Sequence, residues 1–94
     1  LETLARAETL QQQTPEARLR AQIQMARGIA YHKLDKLPES TAALEDALQV
    51  FRQADAMGEL NITYSELAEV YAESGNWRAA YERRTLAKET SDRL

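Results

Sequence analysis

Apolar residues at helical spacing, in runs parted by breaks of only a few residues, constrain this chain more than any other feature. The clearest run carries Leu37, Leu44, Ala47, Leu48, Phe51 and Ala54, a stripe that one face of an α-helix presents every three to four residues. A second run follows the sequence TPEA, where Thr14 can cap a helix and Pro15 suits its first turn, where a missing N–H costs nothing. It extends to about Lys33 and carries Ile23, Ala26, Ala30 and Tyr31, with Leu34 just beyond. Pro38 opens the run already described, and Gly58 in the sequence MGEL is its expected C-terminal cap. The next run, about Leu60–Ser74, carries Ile62, Tyr64, Leu67, Ala68 and Tyr71. Gly75 is expected to end it, with Asn76 capping a last run, Trp77–Leu94. At the front, Leu1, Leu4, Ala7 and Leu10 suggest a further helix over Leu1–Gln12. No strand-like alternation persists. Breaks this short make successive helices antiparallel and leave no loop long enough for an active-site lid.

Charge is unevenly spread along this frame. Residues 35–74 hold two bases and nine acids, hence −7, whereas residues 1–34 and 75–94 each hold five bases and three acids, hence +2. A nucleic-acid binder wants a basic stripe instead, so nucleic acid is not an expected partner. The acidic block reads as a solvated helix surface or as a wall that attracts a basic segment. The chain holds no cysteine, which removes disulfides, thiol catalysis and Cys-based metal sites and fits a reducing, cytoplasmic setting. Nothing resembles a signal peptide in the opening LETLARAETL, and no apolar run approaches membrane-spanning length. The chain is expected to be a piece of a larger protein.

Residues forty positions apart correspond in size: Tyr31 with Tyr71, Gly28 with Ala68, Ser40 with Ala80, and Ala7 with Ala47 and Ala87. Small residues recur where two helices must approach closely. Tyr64, Leu67, Ala68 and Tyr71, then Gly75-Asn76-Trp77, then Ala80 and Ala87, resemble the pattern of the tetratricopeptide repeat (TPR) family. The upstream unit matches at Gly28, Tyr31, Ser40, Leu44 and Ala47 and departs from the pattern at Gln24 and Arg27. The downstream unit departs at Arg84 and Asp92, and a forty-residue spacing exceeds the family's usual 34. Repeats of this longer kind resemble those of bacterial signalling and regulatory proteins.

The resemblance implies an all-α fold of antiparallel helical hairpins stacked as a short right-handed solenoid. Its units are a trailing helix over residues 1–13 and hairpins over 14–58 and 59–94. The first helix of each hairpin would line a concave surface, on which spacing from Tyr31 and Tyr71 places Gln22, Met25, Ile29, His32 and Lys33, then Ile62, Ser65, Glu69, Ala72 and Glu73. Trp77 is expected to pack in the elbow between helices, near Tyr71 and Tyr81.

Little in the sequence points to catalysis. His32 is the only histidine, and with no second His or Cys to join it the expected reading is a rim residue, not a metal ligand. Glu66, Glu69 and Glu73 form a stripe on one helix, expected to be solvated, with no pocket to separate their pKa values for acid–base work. The isolated glycines make no phosphate loop. Arg83, Arg84 and Lys88 form a small basic cluster suited to pairing with acids on a neighbouring helix. No enzyme activity, cofactor or metal is therefore expected. The expected function is a protein-interaction or signal-receiving scaffold that binds a peptide, a basic one being suited to the acidic wall, or an adjoining domain on its concave face. The alternative is a regulatory or dimerising segment of a bacterial multidomain signalling enzyme, such as a diguanylate cyclase, or of a transcription regulator. No membrane partner is expected, and exposed ends, with Leu1, Leu4 and Leu10 at the front, would favour self-association.

Overall fold

The computed structural model describes residues 14–94. Four α-helices occupy nearly all of this span: α1 (Pro15–Lys33), α2 (Leu37–Gln53), α3 (Met57–Glu73) and α4 (Trp77–Arg93). No strand occurs among the described residues. The expected helix over residues 1–13, with Leu1, Leu4 and Leu10, lies outside them.

Three identical turns set the architecture. Asp35, Asp55 and Gly75 stand 20 residues apart, and each adopts positive φ, 61°, 52° and 80° respectively. At each turn the N–H three residues past the helix end returns to the carbonyl of an aromatic residue five positions back: Lys36 to Tyr31, Ala56 to Phe51 and Asn76 to Tyr71. The preceding N–H closes a tighter loop, Asp35 to His32, Asp55 to Arg52 and Gly75 to Ala72. These are Schellman caps, which satisfy carbonyls that the helix leaves unpaired and need a left-handed residue at the pivot. Glycine takes that conformation freely; aspartate is among the few L-residues that tolerate it.

The last three helices start 20 residues apart, whereas α1 starts 22 residues ahead of α2. Thr14 accepts a hydrogen bond from the Ala17 N–H (3.1 Å), and Asn76 accepts one from the Ala79 N–H (3.3 Å), both as expected N-caps. Pro38 sits one position inside α2, which begins at Leu37. One expectation fails here. Gly58 is not a C-cap but lies in the first turn of α3, because Asp55 supplies the positive φ that the turn requires. The division between hairpins therefore falls in the Ala54–Ala56 turn, ahead of residue 58.

Contacts fix how the helices run. The backbone of α1 near Gly28 meets α2 at Ser40 and Leu44, and Ser40 Oγ, fully buried, donates to the Gly28 carbonyl at 2.6 Å. Asn61 Nδ2 of α3 donates to the Ala87 carbonyl of α4 (2.7 Å) and to Thr90 Oγ1 (3.2 Å). Arg52 of α2 reaches Tyr64 of α3, and Tyr71 of α3 reaches Glu45 of α2, so rising positions on one helix meet falling positions on the next. Successive helices are antiparallel, and α1 and α3 consequently run parallel.

The core lies between the two hairpins. Leu44, Leu48 and Phe51 from α2 meet Leu60, Tyr64, Leu67 and Val70 from α3, all at 5% exposure or less. Burying each large apolar side chain stabilises the fold by about 1.5–3 kcal/mol. The small residues singled out in the sequence, Gly28, Ala47, Ala68, Ala80 and Ala87, are all buried. Thr63 is also fully buried and satisfies its hydroxyl on the Glu59 carbonyl (2.7 Å).

Trp77 corrects a second expectation. It is 70% exposed and Tyr81 74% exposed, so neither packs in an elbow. The phase of α4 explains this. Ala80, Ala87 and Thr90 are its buried positions, and Trp77 and Tyr81, one turn apart, fall on the flank that α3 does not cover.

Candidate interaction face and its charged seam

Side by side, α1 and α3 are joined along their shared edge by charged groups. Arg18 Nη2 and Nε donate to Glu59 Oε2 at 2.7 and 3.0 Å. Fourteen residues further along both helices, His32 Nε2 meets Glu73, and its Nδ1 lies 2.6 Å from Glu66 Oε1. The pairs Arg18–Glu59 and His32–Glu73 share a sequence offset of 41, the register of two parallel helices. On α3 the participating carboxylates, Glu59, Glu66 and Glu73, recur every seven residues, two helical turns.

The seam shapes the titration of its members. Hydrogen bonding to Glu66 raises the His32 pKa above its ordinary value; burial opposes this, and Glu73 adds to the rise. In the imidazolium form both ring nitrogens donate, one to each carboxylate. Burial alone would push Glu59 upward, but the Arg18 hydrogen bond and charge outweigh it and hold the carboxyl below its ordinary value.

His32 is thus no free rim residue. Its side chain is 16% exposed and Glu66 is 20% exposed. Nor is the Glu66–Glu69–Glu73 stripe simply solvated, since Glu66 and Glu73 are tied to His32. Ligand atoms of His32, Glu66 and Glu69 all lie within 4.8 Å of one another. The sequence held a signal for this grouping, the seven-residue recurrence of glutamates on one helix against Arg18 and His32 fourteen apart on another. It becomes readable only once α1 and α3 are known to be parallel neighbours.

All ten residues assigned to the concave face lie on α1 and α3. Gln22, Lys33, Ile62, Ser65, Glu69 and Glu73 are exposed, whereas Ile29, His32 and Ala72 are half-buried. Met25 is half-buried against the core and contributes more to packing than to an open surface. Ser65 and Glu69 line a groove of about 170 Å³ with Ala68, Arg84 and Ala87.

A second charged node sits on the opposite edge of the hairpin pair. Arg83 donates through Nε and Nη2 to Glu45 Oε1 at 3.1 and 2.8 Å, and Tyr71 Oη donates to the same oxygen at 3.2 Å. The Arg83 guanidinium also lies 5.9 Å from the Tyr71 ring centre. Burial and the neighbouring Glu45 charge both raise the Tyr71 pKa, so the phenol stays protonated. Arg83 therefore pairs across helices as its cluster suggested, while Arg84 and Lys88 remain exposed. A groove of about 300 Å³ runs past Arg52, Tyr64, Leu86 and Arg93.

No family model matches the sequence, and no curated protein or solved structure matches it either. No helix among the described residues is long and apolar enough to cross a membrane.

Proposed function

We propose that the chain is a docking module of the TPR type, a short right-handed solenoid that holds an extended or helical protein segment on the face formed by α1 and α3. One observation carries this reading. The first helices of the two hairpins run parallel in fixed register, and beside their charged seam stand Ile62, 47% exposed, and half-buried Ile29. Apolar side chains next to exposed Glu69 and Glu73 suit a segment that carries both apolar and basic residues. The repeated turns support the assignment further, because one turn geometry recurring every 20 residues suits an array built from repeated helical units. The test is selection of binders from a random peptide display library against the full chain. Enrichment of basic, apolar peptides whose binding falls with Ile62→Ala and Glu69→Lys, but not with Gln49→Ala on α2, supports the reading. Peptides that perturb Glu45, Gln49 and Arg52 instead place docking on the other face.

One observation favours a second reading, a regulatory or dimerising segment of a larger signalling protein. Trp77, Tyr81, Arg84 and Lys88 form an exposed stripe along α4, suited to contact with an adjoining domain or a second copy. Sedimentation of Trp77→Ser beside the parent chain separates the two readings, since only a contact through α4 is altered by it.

A further inference from the structure

The charged seam contains donors that ion pairing alone does not use up. His32 supplies one imidazole, and Glu66 and Glu69 supply carboxylates one helical turn apart, with ligand atoms of all three within 4.8 Å of one another. An ion bound at about 2.0–2.2 Å from each ligand brings ligand atoms to within about 3.5 Å of one another. The group is thus within a side-chain adjustment of closing on an ion. We propose that His32, Glu66 and Glu69 form a binding site for a divalent transition-metal ion of the zinc class, which ties α1 to α3.

Four features of the site support this. The donors come from two helices whose register is already fixed by Arg18–Glu59, so binding does not first have to order the chain. His32 and Glu66 are half-buried, which strengthens charge interactions relative to open water. A mixed imidazole and carboxylate set favours zinc-class ions, whereas carboxylates alone would suit calcium or magnesium. Lastly, among the described residues no lysine or arginine forms an ion pair with Glu66, Glu69 or Glu73, so no ammonium or guanidinium group already occupies these carboxylates. Arg84 lines the groove beside Glu69 and is the cation an incoming ion must outmatch there. This site goes beyond the docking function, and no protein partner enters its test.

Glu69 decides between a metal site and a purely structural clasp, because it is exposed and has no ion pair to His32. The experiment is titration of the full chain with zinc chloride in chelator-free buffer at neutral pH, followed by calorimetry. The same titration is run on His32→Gln, on Glu69→Gln and, as a control, on Glu82→Gln at an exposed position of α4. Circular dichroism confirms that each variant is folded. One-to-one binding that weakens at least tenfold in Glu69→Gln and His32→Gln, and stays within twofold of the parent in Glu82→Gln, is the expected result. If His32→Gln does not fold, Glu69→Gln alone decides. Absence of saturable binding, or a loss below tenfold in Glu69→Gln, overturns the site.

Discussion

A Cβ atom built on Gly28 stands 2.5 Å from Leu44 Cγ and 2.7 Å from its Cδ2, closer than real side chains approach one another. Leu44 is fully buried and cannot swing aside. Gly28→Ala therefore sets two effects against each other. Alanine in a helix interior gains about 1 kcal/mol over glycine, whereas overpacking a closed core costs about 1–3 kcal/mol. Overpacking is expected to win, and urea unfolding should show a lower midpoint. Ala47→Phe and Ala68→Leu carry no propensity gain and should lose the full 1–3 kcal/mol or so, since Ala47 and Ala68 are also buried. A more stable Gly28→Ala variant would show that α1 and α2 lie further apart.

The turns make a separate test, because their pivots differ in residue while sharing one geometry. Nothing lies within 4 Å of a Cβ built on Gly75, whose φ is +80°. Gly75→Ala should therefore cost about 1–2 kcal/mol from backbone conformation alone. Asp55→Gly reverses the substitution at an equivalent pivot. Its benefit is smaller than that cost, because aspartate already tolerates the left-handed region and glycine loses more entropy on folding. Thermal melting of the two variants should move in opposite directions; melting in the same direction would remove the shared-turn account.

Trp77 gives a spectroscopic check on the phase of α4. An indole 70% exposed should emit at long wavelength and be readily quenched by iodide or acrylamide. Trp77→Ala, at a surface position, should change stability by no more than about 0.5 kcal/mol. A blue-shifted, protected emission in the monomer would restore the buried elbow position.

How much of this was legible beforehand depended on range. Thr14, Asn76 and Gly75 act locally, through the backbone within a few residues, and each does what its residue type announces. Gly58 misled because a glycine near the end of an apolar run looks like a cap, while Asp55, a rarer pivot, took the role three residues earlier. Trp77 misled for a different reason. Whether a helix flank is covered depends on which neighbour lies beside it, and α4 offers alanines, not the aromatics, to α3. The His32–Glu66–Glu73 grouping joins residues 34 and 41 positions apart, which no single-helix pattern reveals.

The Arg18–Glu59 pair gives the seam a measurable acid limb. The Glu59 pKa is lowered in the folded chain, so the pair contributes stability that is fully present above the ordinary glutamate pKa. That contribution is lost as pH falls through the lowered value, because the folded state then has to take up a proton that the unfolded chain already holds. Arg18 is 45% exposed, and solvent screening keeps the contribution to roughly 0.2–1 kcal/mol. Urea midpoints measured from pH 7 downward should therefore fall below the ordinary glutamate range, and Glu59→Gln should flatten part of that fall. High salt should shrink the difference between parent and variant, as expected of a partly exposed pair. If Glu59→Gln lowers stability equally at pH 7 and pH 3, the side chain acts there through packing or neutral hydrogen bonding, and the charged link between α1 and α3 at this end of the seam is lost from the account.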